Sequence, residues 1–249
     1  MPRFFIKTNQ ISDNQINIIG EDVKHIKNVL RKQIGDNIEI CDQETGHTYQ
    51  CEIAEIKQEL IINNIIREEI ENADSRIRVD IYQGLPKADK MELIIQKSVE
   101  LGVNSIIPVE MKRCIVKLDS KSENKKIERW QKIAESAAKQ SGRNIIPQIH
   151  KVTKIKDIVE LIETYDAVIV CYENERDNHI KKELLKIKEQ NKTEIKIAII
   201  IGPEGGLEEQ EVKYLEQNGA KVVTLGNRIL RTETVALNLL SIIIYELEI

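Results

Sequence analysis

Four mostly apolar runs restrict the fold of this chain more than any other feature. They are "RVDIYQGL" (78–85), "VNSIIPVEM" (103–111), "DAVIVCYE" (166–173) and "IKIAIIIG" (195–202). A strand with one wet face alternates apolar and polar side chains, whereas a strand apolar throughout is covered on both sides. Helical periods separate these runs: "DKMELIIQKSVELG" (89–102), Glu123 to Ser141 closed by Gly142, a polar Lys-rich segment, and "LEEQEVKYLEQNG" (207–219). "KVVTLG" (221–226) reads as a last strand and Thr232 to Glu248 as a last helix. Such alternation predicts an α/β fold, a parallel sheet with helices on both faces.

The first seventy or so residues obey a different rule. "NIEICD" and "YQCEIAEI" alternate apolar and polar side chains around "QETGH", a hairpin signal with Gly46 in the turn, and "LIINNII" supplies another strand. Asp22 to Lys32 places Val23, Ile26, Val29 and Leu30 on one helical face, with Lys24, His25, Lys27, Arg31 and Lys32 elsewhere around it. The pattern predicts a small β-barrel with one short basic helix. "REEIENADSR" (67–76) is charged and aperiodic and reads as a linker, so the expected domains are 1–72 and 73–249.

Charge and cysteine usage exclude several classes. A net charge of −4 argues against a dedicated nucleic-acid binder. Yet residues 112–143 carry ten Lys/Arg against four acids, and residues 1–35 carry six against three. Each stretch is either a solvated face or a face for a polyanion. Cys41, Cys51, Cys114 and Cys171 are scattered, as suits reduced thiols rather than disulfides or a zinc site. His25, His47, His150 and His179 show no ligand spacing either, so no metal is expected. Runs such as "LLSIII" are too short to cross a bilayer, and "MPRFFIKTNQ" has no signal-peptide core, which predicts a cytoplasmic protein without a membrane partner.

Two loops at strand ends carry the chemistry. "IIIGPEGGLEEQEV" (199–212) places Gly202, Pro203, Gly205 and Gly206 within five positions of a chain with only 11 Gly and 5 Pro. Such a cluster marks either a forced backbone turn or the close approach of a ligand. Ligands of open α/β sheets sit at the carboxyl ends of strands. Neither a Walker loop nor a G-x-G-x-x-G motif is present, and Glu204, Glu208 and Glu209 would repel a phosphate. The loop suits a neutral or cationic ligand, such as an adenosine bearing a sulfonium; a purely structural turn is the other reading. "GNRILRTET" brings Arg231 to the start of the last helix, where a cation is unfavourable and implies an anion nearby. Thr232 or Thr234 could cap that helix. The helix itself is apolar on more than one face, which implies either a subunit interface or a deeply buried core element.

"IGPEGG", "LGNRILRTETVAL", "LPKADKMELIIQKSVELGV", "AAKQSGRNIIP" and "PRFF…HIKNVLR" together resemble the RsmE family across nearly the whole chain. These are SPOUT-superfamily enzymes that use S-adenosylmethionine to methylate N3 of a uridine in 16S ribosomal RNA. The resemblance implies a PUA-like N-terminal barrel that binds RNA and a C-terminal methyltransferase domain with a trefoil knot. It also implies a homodimer with the cofactor pocket near its interface. Carried onto this sequence, cofactor contacts fall on Tyr172 and Glu173; on Gly202, Pro203, Glu204 and Gly205; and on Leu225, Gly226, Ile229, Leu230, Thr232 and Thr234. The segment "CYENE" departs from the polar pair usual at that loop.

The reaction that the resemblance implies needs N3 of the uridine deprotonated. Arg231 is expected to stabilise the imide anion, with Glu233 or Glu204 as the base. RNA contacts are expected from Arg3, Lys24, His25, Lys27 and Arg31, and from Lys87, Lys90, Arg113, Lys139 and Arg143. The alternatives are a SPOUT enzyme that methylates a ribose 2′-hydroxyl of tRNA or rRNA, and a non-catalytic ribosome-assembly factor.

Overall fold

The structure, a computed structural model, describes residues 3–69 and 75–248. Residues 1–74 with 138–146 form one compact unit, and residues 75–137 with 147–249 form another. Residues 70–74, in the expected linker, lie outside the described residues, and so does the expected boundary at 72/73.

Six strands build the first unit: β1 (Arg3–Ile6), β2 (Ile11–Ser12), β3 (Gln15–Ile19), β4 (Asn37–Asp42), β5 (Thr48–Ile56) and β6 (Leu60–Glu69). They pair in the order β1-β4-β5-β6-β3-β2, with β1 parallel to β4 and the rest antiparallel. The expected hairpin is present. Cys41 pairs with Thr48, and Gly46 donates its amide to the Asp42 carbonyl at 2.8 Å. Inward side chains, among them Phe4, Ile6, Ile18, Ile38, Ile40 and Ile53, meet in one core. Register shifts between β5 and β6 at Gln50/Cys51 and Ile53/Glu55 sharpen the twist that curls the sheet around that core.

The basic helix differs from its expected form. α1 (Glu21–Lys24) runs into a π-turn, His25–Val29, in which the Leu30 amide reaches the His25 carbonyl at 3.0 Å. The extra residue in that turn rotates the helical face beyond it. Val23 and Ile26 are buried and Leu30 packs on the core as expected, but Val29 is turned out and 66% exposed.

The second unit holds seven strands: β7 (Ile77–Gly84), β8 (Ser105–Glu110), β9 (Gln148–Ile149), β10 (Thr153–Lys154), β11 (Ala167–Cys171), β12 (Ile195–Ile201) and β13 (Lys221–Val223). Their order is β10-β8-β7-β12-β11-β13, with β9 also on β8, and every pair is parallel. β7, β8 and β12 are buried almost residue after residue, the mark of a sheet covered on both faces. The helices are α2 (Lys90–Glu100), α3 (Ser120–Ser141), α4 (Ile155–Val159), α5 (Ile180–Lys188), α6 (Glu209–Gln217) and α7 (Thr232–Leu247). α3 starts ahead of the expected Glu123 because the Asp119 carboxylate caps it, accepting from the Ser122 amide at 2.8 Å.

α7 packs against α2, α5, β7 and β12. Its Ala236, Leu239, Leu240, Ile243 and Leu247 are buried. Val235, Leu237, Ile242 and Ile244 are only half-buried, and Tyr245 is 71% exposed. The helix is therefore a core element on one side and an apolar surface on the other. Among the described residues no helix is long and apolar enough to cross a membrane. All four cysteines are free thiols.

Candidate active site

Strand register places the site. Cys171, the last residue of β11, pairs with Ile201, the last of β12, and with Val223, the last of β13. Three parallel strands thus end at one level, and the loops that leave them enclose a cavity of about 520 Å³. Its apolar walls include Ile201, Val223, Leu225, Leu230 and Val235; Tyr172 and Glu173 follow β11, and Gly202 to Gly206 follow β12.

The glycines answer the question raised by "GPEGG". A Cβ on Gly202 would stand 2.9 Å from the Gly206 carbonyl carbon and the Leu207 nitrogen, so the loop's own backbone fills that space. Gly206 combines a φ of 70° with a carboxylate neighbour, since a Cβ there would collide with Glu173 Oε1. The turn is forced from within, and the missing side chain at Gly206 leaves room for the Glu173 carboxylate from the loop after β11.

A buried clasp joins this loop to the start of α7. The Thr232 hydroxyl donates to the Gly202 carbonyl at 2.7 Å and accepts from Gln83 Nε2 at 2.8 Å. Gln83 Nε2 also donates to the Gly84 carbonyl at 3.0 Å. Thr232 therefore does not cap its own helix. Arg231 occupies the N-cap position in extended geometry, and its carbonyl accepts the Thr234 and Val235 amides at 2.8 and 3.0 Å.

Charges are distributed unevenly around the cavity. Glu204 Oε1 accepts the Lys87 amide and meets Lys90 Nζ, each at 3.0 Å. Burial raises the Glu204 carboxyl, but amide hydrogen bonds and the Lys90 ammonium outweigh it and hold the group below the usual carboxylate range. Lys90 also lies 3.6 Å from Glu233, whose Oε2 is buried without a hydrogen-bond partner. Arg113 Nη1 donates to the Gly205 carbonyl at 2.9 Å, buttressing the glycine loop from outside. Burial pushes the Cys171 thiol up to about 12, which makes a poor nucleophile of the one cysteine in the cavity wall. Among the described residues, the side chains of Arg176, Arg228 and Arg231 carry no hydrogen bond or ion pair, and all three line the cavity.

The cavity gathers Tyr172, Glu173, Gly202, Pro203, Glu204, Gly205, Leu225, Gly226, Ile229, Leu230, Arg231 and Thr232. Thr234 and Glu233 are not among its walls. Ile229, expected to pack on an adenosine ring, is 80% exposed at the mouth. Of the cations expected to meet RNA, Arg3 is bound by Glu39, by Asn144 Oδ1 at 3.0 Å and by the carbonyls of Gly142 and Arg143. His25 and Arg31 are exposed, and the His25 ring stands edge-on to Phe4 with centroids 6.3 Å apart. Lys90 belongs to the cavity wall, Lys87 offers the loop only its amide, and the Arg143 carbonyl serves Arg3. Sequence reasoning missed Gln83, Lys90 as a wall residue, and Arg176. A signal for Gln83 existed, because an amide in a strand buried on both faces needs a specific partner.

The family model described as the RNA methyltransferase domain matches residues 73–244, and that of the RNA methyltransferase PUA domain matches residues 18–63. The chain is 39% identical to a Bacillus subtilis (strain 168) protein named ribosomal RNA small subunit methyltransferase E, covering 100% of this chain and 98% of that one. A protein of the same name from Mesomycoplasma hyopneumoniae (strain 232) is 34% identical, covering 97% and 98%. Among solved structures, a ribosomal RNA small subunit methyltransferase E from Neisseria gonorrhoeae bound to S-adenosyl methionine superposes with a TM-score of 0.85. That pair is 30% identical and covers 98% of this chain and 97% of that one.

Proposed function

The chain belongs to the RNA methyltransferase family of the ribosomal RNA small subunit methyltransferase E type, and from that premise we propose that it methylates N3 of a uridine in 16S ribosomal RNA. S-adenosylmethionine is the methyl donor. One observation carries the reading: a half-open, glycine-lined cavity at level strand ends, with an unpaired guanidinium, Arg231, on its wall.

The wall residues fit that donor. The volume is in the range of nucleoside-sized sites. Leu225, Leu230 and Val235 offer apolar faces to a purine, and the Glu173 carboxylate suits ribose hydroxyls or a positive charge. Once bound, the donor supplies an electrophilic methyl group on a sulfonium.

The protein's part is to make N3 nucleophilic and to keep water away. N3 lies between two carbonyls and is a poor nucleophile until its proton leaves. Arg231, placed near O2 or O4, stabilises the imide anion, and the bound donor and nucleotide would displace solvent that screens the interaction. Glu233, next to Arg231 in the chain but outside the cavity lining, is the proposed proton acceptor: its Oε2 accepts no hydrogen bond, and its ion pair with Lys90 is the longer one, 3.6 Å against 3.0 Å for Glu204. Glu204 is the weaker candidate because its amide donors and Lys90 stabilise the ionised form.

Residues 1–72 are read as the PUA-like RNA-binding domain and 73–249 as the domain for cofactor, catalysis and dimerisation, with a trefoil knot in the chain path. The half-buried apolar face of α7 supports a homodimer, because such a face is costly to leave in water. A ribosomal RNA substrate supports a cytoplasmic location. Nucleoside mass spectrometry of rRNA from a strain lacking this gene tests the reading. Loss of N3-methyluridine is expected; unchanged N3-methyluridine with a missing 2′-O-methyl nucleoside would refute it.

A further inference from the structure

We propose that the cavity mouth is a rim that grips the RNA strand beside the target nucleotide. Arg176 and Arg228 each take a backbone phosphate there, and Ile229 packs against a neighbouring base. The proposal rests on the reaction assigned above and states how its polymeric substrate is held at the same site.

The rim is built from ordered turns. Glu175 Oε1 accepts the amides of Arg176, Asp177 and Asn178 at 2.9, 2.7 and 2.9 Å, which fixes the loop that carries Arg176. Those amides, led by Asn178, hold the Glu175 carboxyl below its usual range, so it stays ionised and bound to backbone. Across the mouth, Arg228 and Ile229 follow Gly226, whose φ of 111° sets the turn after β13.

Charge balance identifies the partner. The acids lining the cavity are Glu173 and Glu204, and Glu204 is already paired with Lys90. Arg176, Arg228 and Arg231 therefore face one unpaired carboxylate among the described residues. The methyl donor is itself a net cation, so filling the cavity adds to the positive charge instead of cancelling it. Arg231 meets the imide anion; two guanidiniums remain without a counterion. A nucleic-acid strand supplies anions at regular spacing on both sides of any base placed in the cavity. N3 lies on the Watson–Crick edge, so the uridine must leave its pairing partner, and the strand at the mouth is locally single. An aliphatic side chain that is 80% exposed and follows Arg228 in the chain suits the face of an adjoining base in such a strand.

The experiment measures filter binding of a 16S rRNA transcript across a salt series for the wild type, Arg176→Ala, Arg228→Ala, the double variant and Ile229→Ser. Calorimetry with S-adenosylmethionine is run on each. Each lost phosphate contact should flatten the slope of log K against log salt by about 0.7, equivalent to about fourfold in affinity near 0.15 M salt. The double variant should lose roughly fifteenfold by the same reasoning, and Arg→Lys variants should keep the slope. Ile229→Ser should lower affinity without changing the slope. Donor affinity should stay within twofold in the arginine variants. An unchanged slope in the double variant would overturn the rim, and so would a loss of donor affinity matching the loss of RNA affinity. That second result would give the arginines to the donor's own carboxylate. Arginine-dependent binding without formation of N3-methyluridine would support the rim and refute the assigned target atom.

Discussion

Thr232→Val tests how the two cavity loops are held together. Valine keeps the β-branched shape and close to the volume of threonine, so packing changes little while the hydroxyl is lost. The Gly202 carbonyl then loses its 2.7 Å donor and keeps only Gln83 Nε2 at 3.5 Å, which is too long for a full hydrogen bond. Gln83 loses its 2.8 Å acceptor and retains the Gly84 carbonyl. Leaving such a buried group unsatisfied costs about 1–3 kcal/mol. At about 2–4 °C per kcal/mol for a chain of this size, a cost near 2 kcal/mol lowers Tm by roughly 4–8 °C. Because the clasp joins the glycine loop to the residue after Arg231, part of the cost falls on the arrangement that binds the donor. Calorimetry should show about tenfold weaker S-adenosylmethionine binding for each 1.4 kcal/mol that does so. Thr232→Ser keeps the hydroxyl, loses a methyl worth about 0.8 kcal/mol, and should bind donor like the wild type. Wild-type affinity in the valine variant, or equal weakness in the serine variant, would refute the clasp.

The same geometry sets three further outcomes. Gly202→Ala drives a Cβ into backbone at 2.9 Å, while Gly206→Ala strains a φ of 70° by about 1–2 kcal/mol and displaces the Glu173 carboxylate, so both should weaken donor binding; isothermal titration of both variants checks this, and wild-type affinity in either refutes it. Arg231→Ala should abolish methyl transfer in a single-turnover assay with the fold retained, since its exposed side chain carries no hydrogen bond or ion pair among the described residues; near-normal turnover would remove it from the reaction. Glu204 has a lowered folded-state pKa, so its contribution is full above its ordinary value of 4.5 and is lost as pH falls through the folded value. The Tm gap between wild type and Glu204→Gln should therefore persist near neutrality and close below pH 4.5, and a gap that widens on acidification would contradict the Lys90–Glu204 clamp.

Much of this arrangement is legible in the residue pattern, and the remainder is hidden for physical reasons. A short run such as Ile195–Ile201, β-branched at most positions and flanked by helical periods, reads as a strand covered on both faces, so the parallel sheet is legible in the residue pattern. Strand order cannot, because β12 inserts between β7 and β11 through contacts distant in sequence. The glycine cluster marked its loop correctly, yet the reason for Gly202 is the return of its own backbone, which no spacing rule encodes. Val29 was misplaced because a single π-turn shifts a helical face by one residue. Charge counting treats all cations alike. Arg3 and Arg113 hold carbonyls, while the unengaged guanidiniums of the cavity wall are Arg176, Arg228 and Arg231, and only the fold distinguishes the two groups.

The destination of the methyl group is the most direct test of the assigned reaction. Purified protein is incubated with S-adenosylmethionine carrying an isotopically labelled methyl and with assembled small ribosomal subunits, and the rRNA is digested to nucleosides for mass spectrometry. Label confined to N3-methyluridine, and absent with Arg231→Ala, is the predicted result. Label on a ribose 2′-oxygen or on another base, or full labelling by the Arg231 variant, would contradict it.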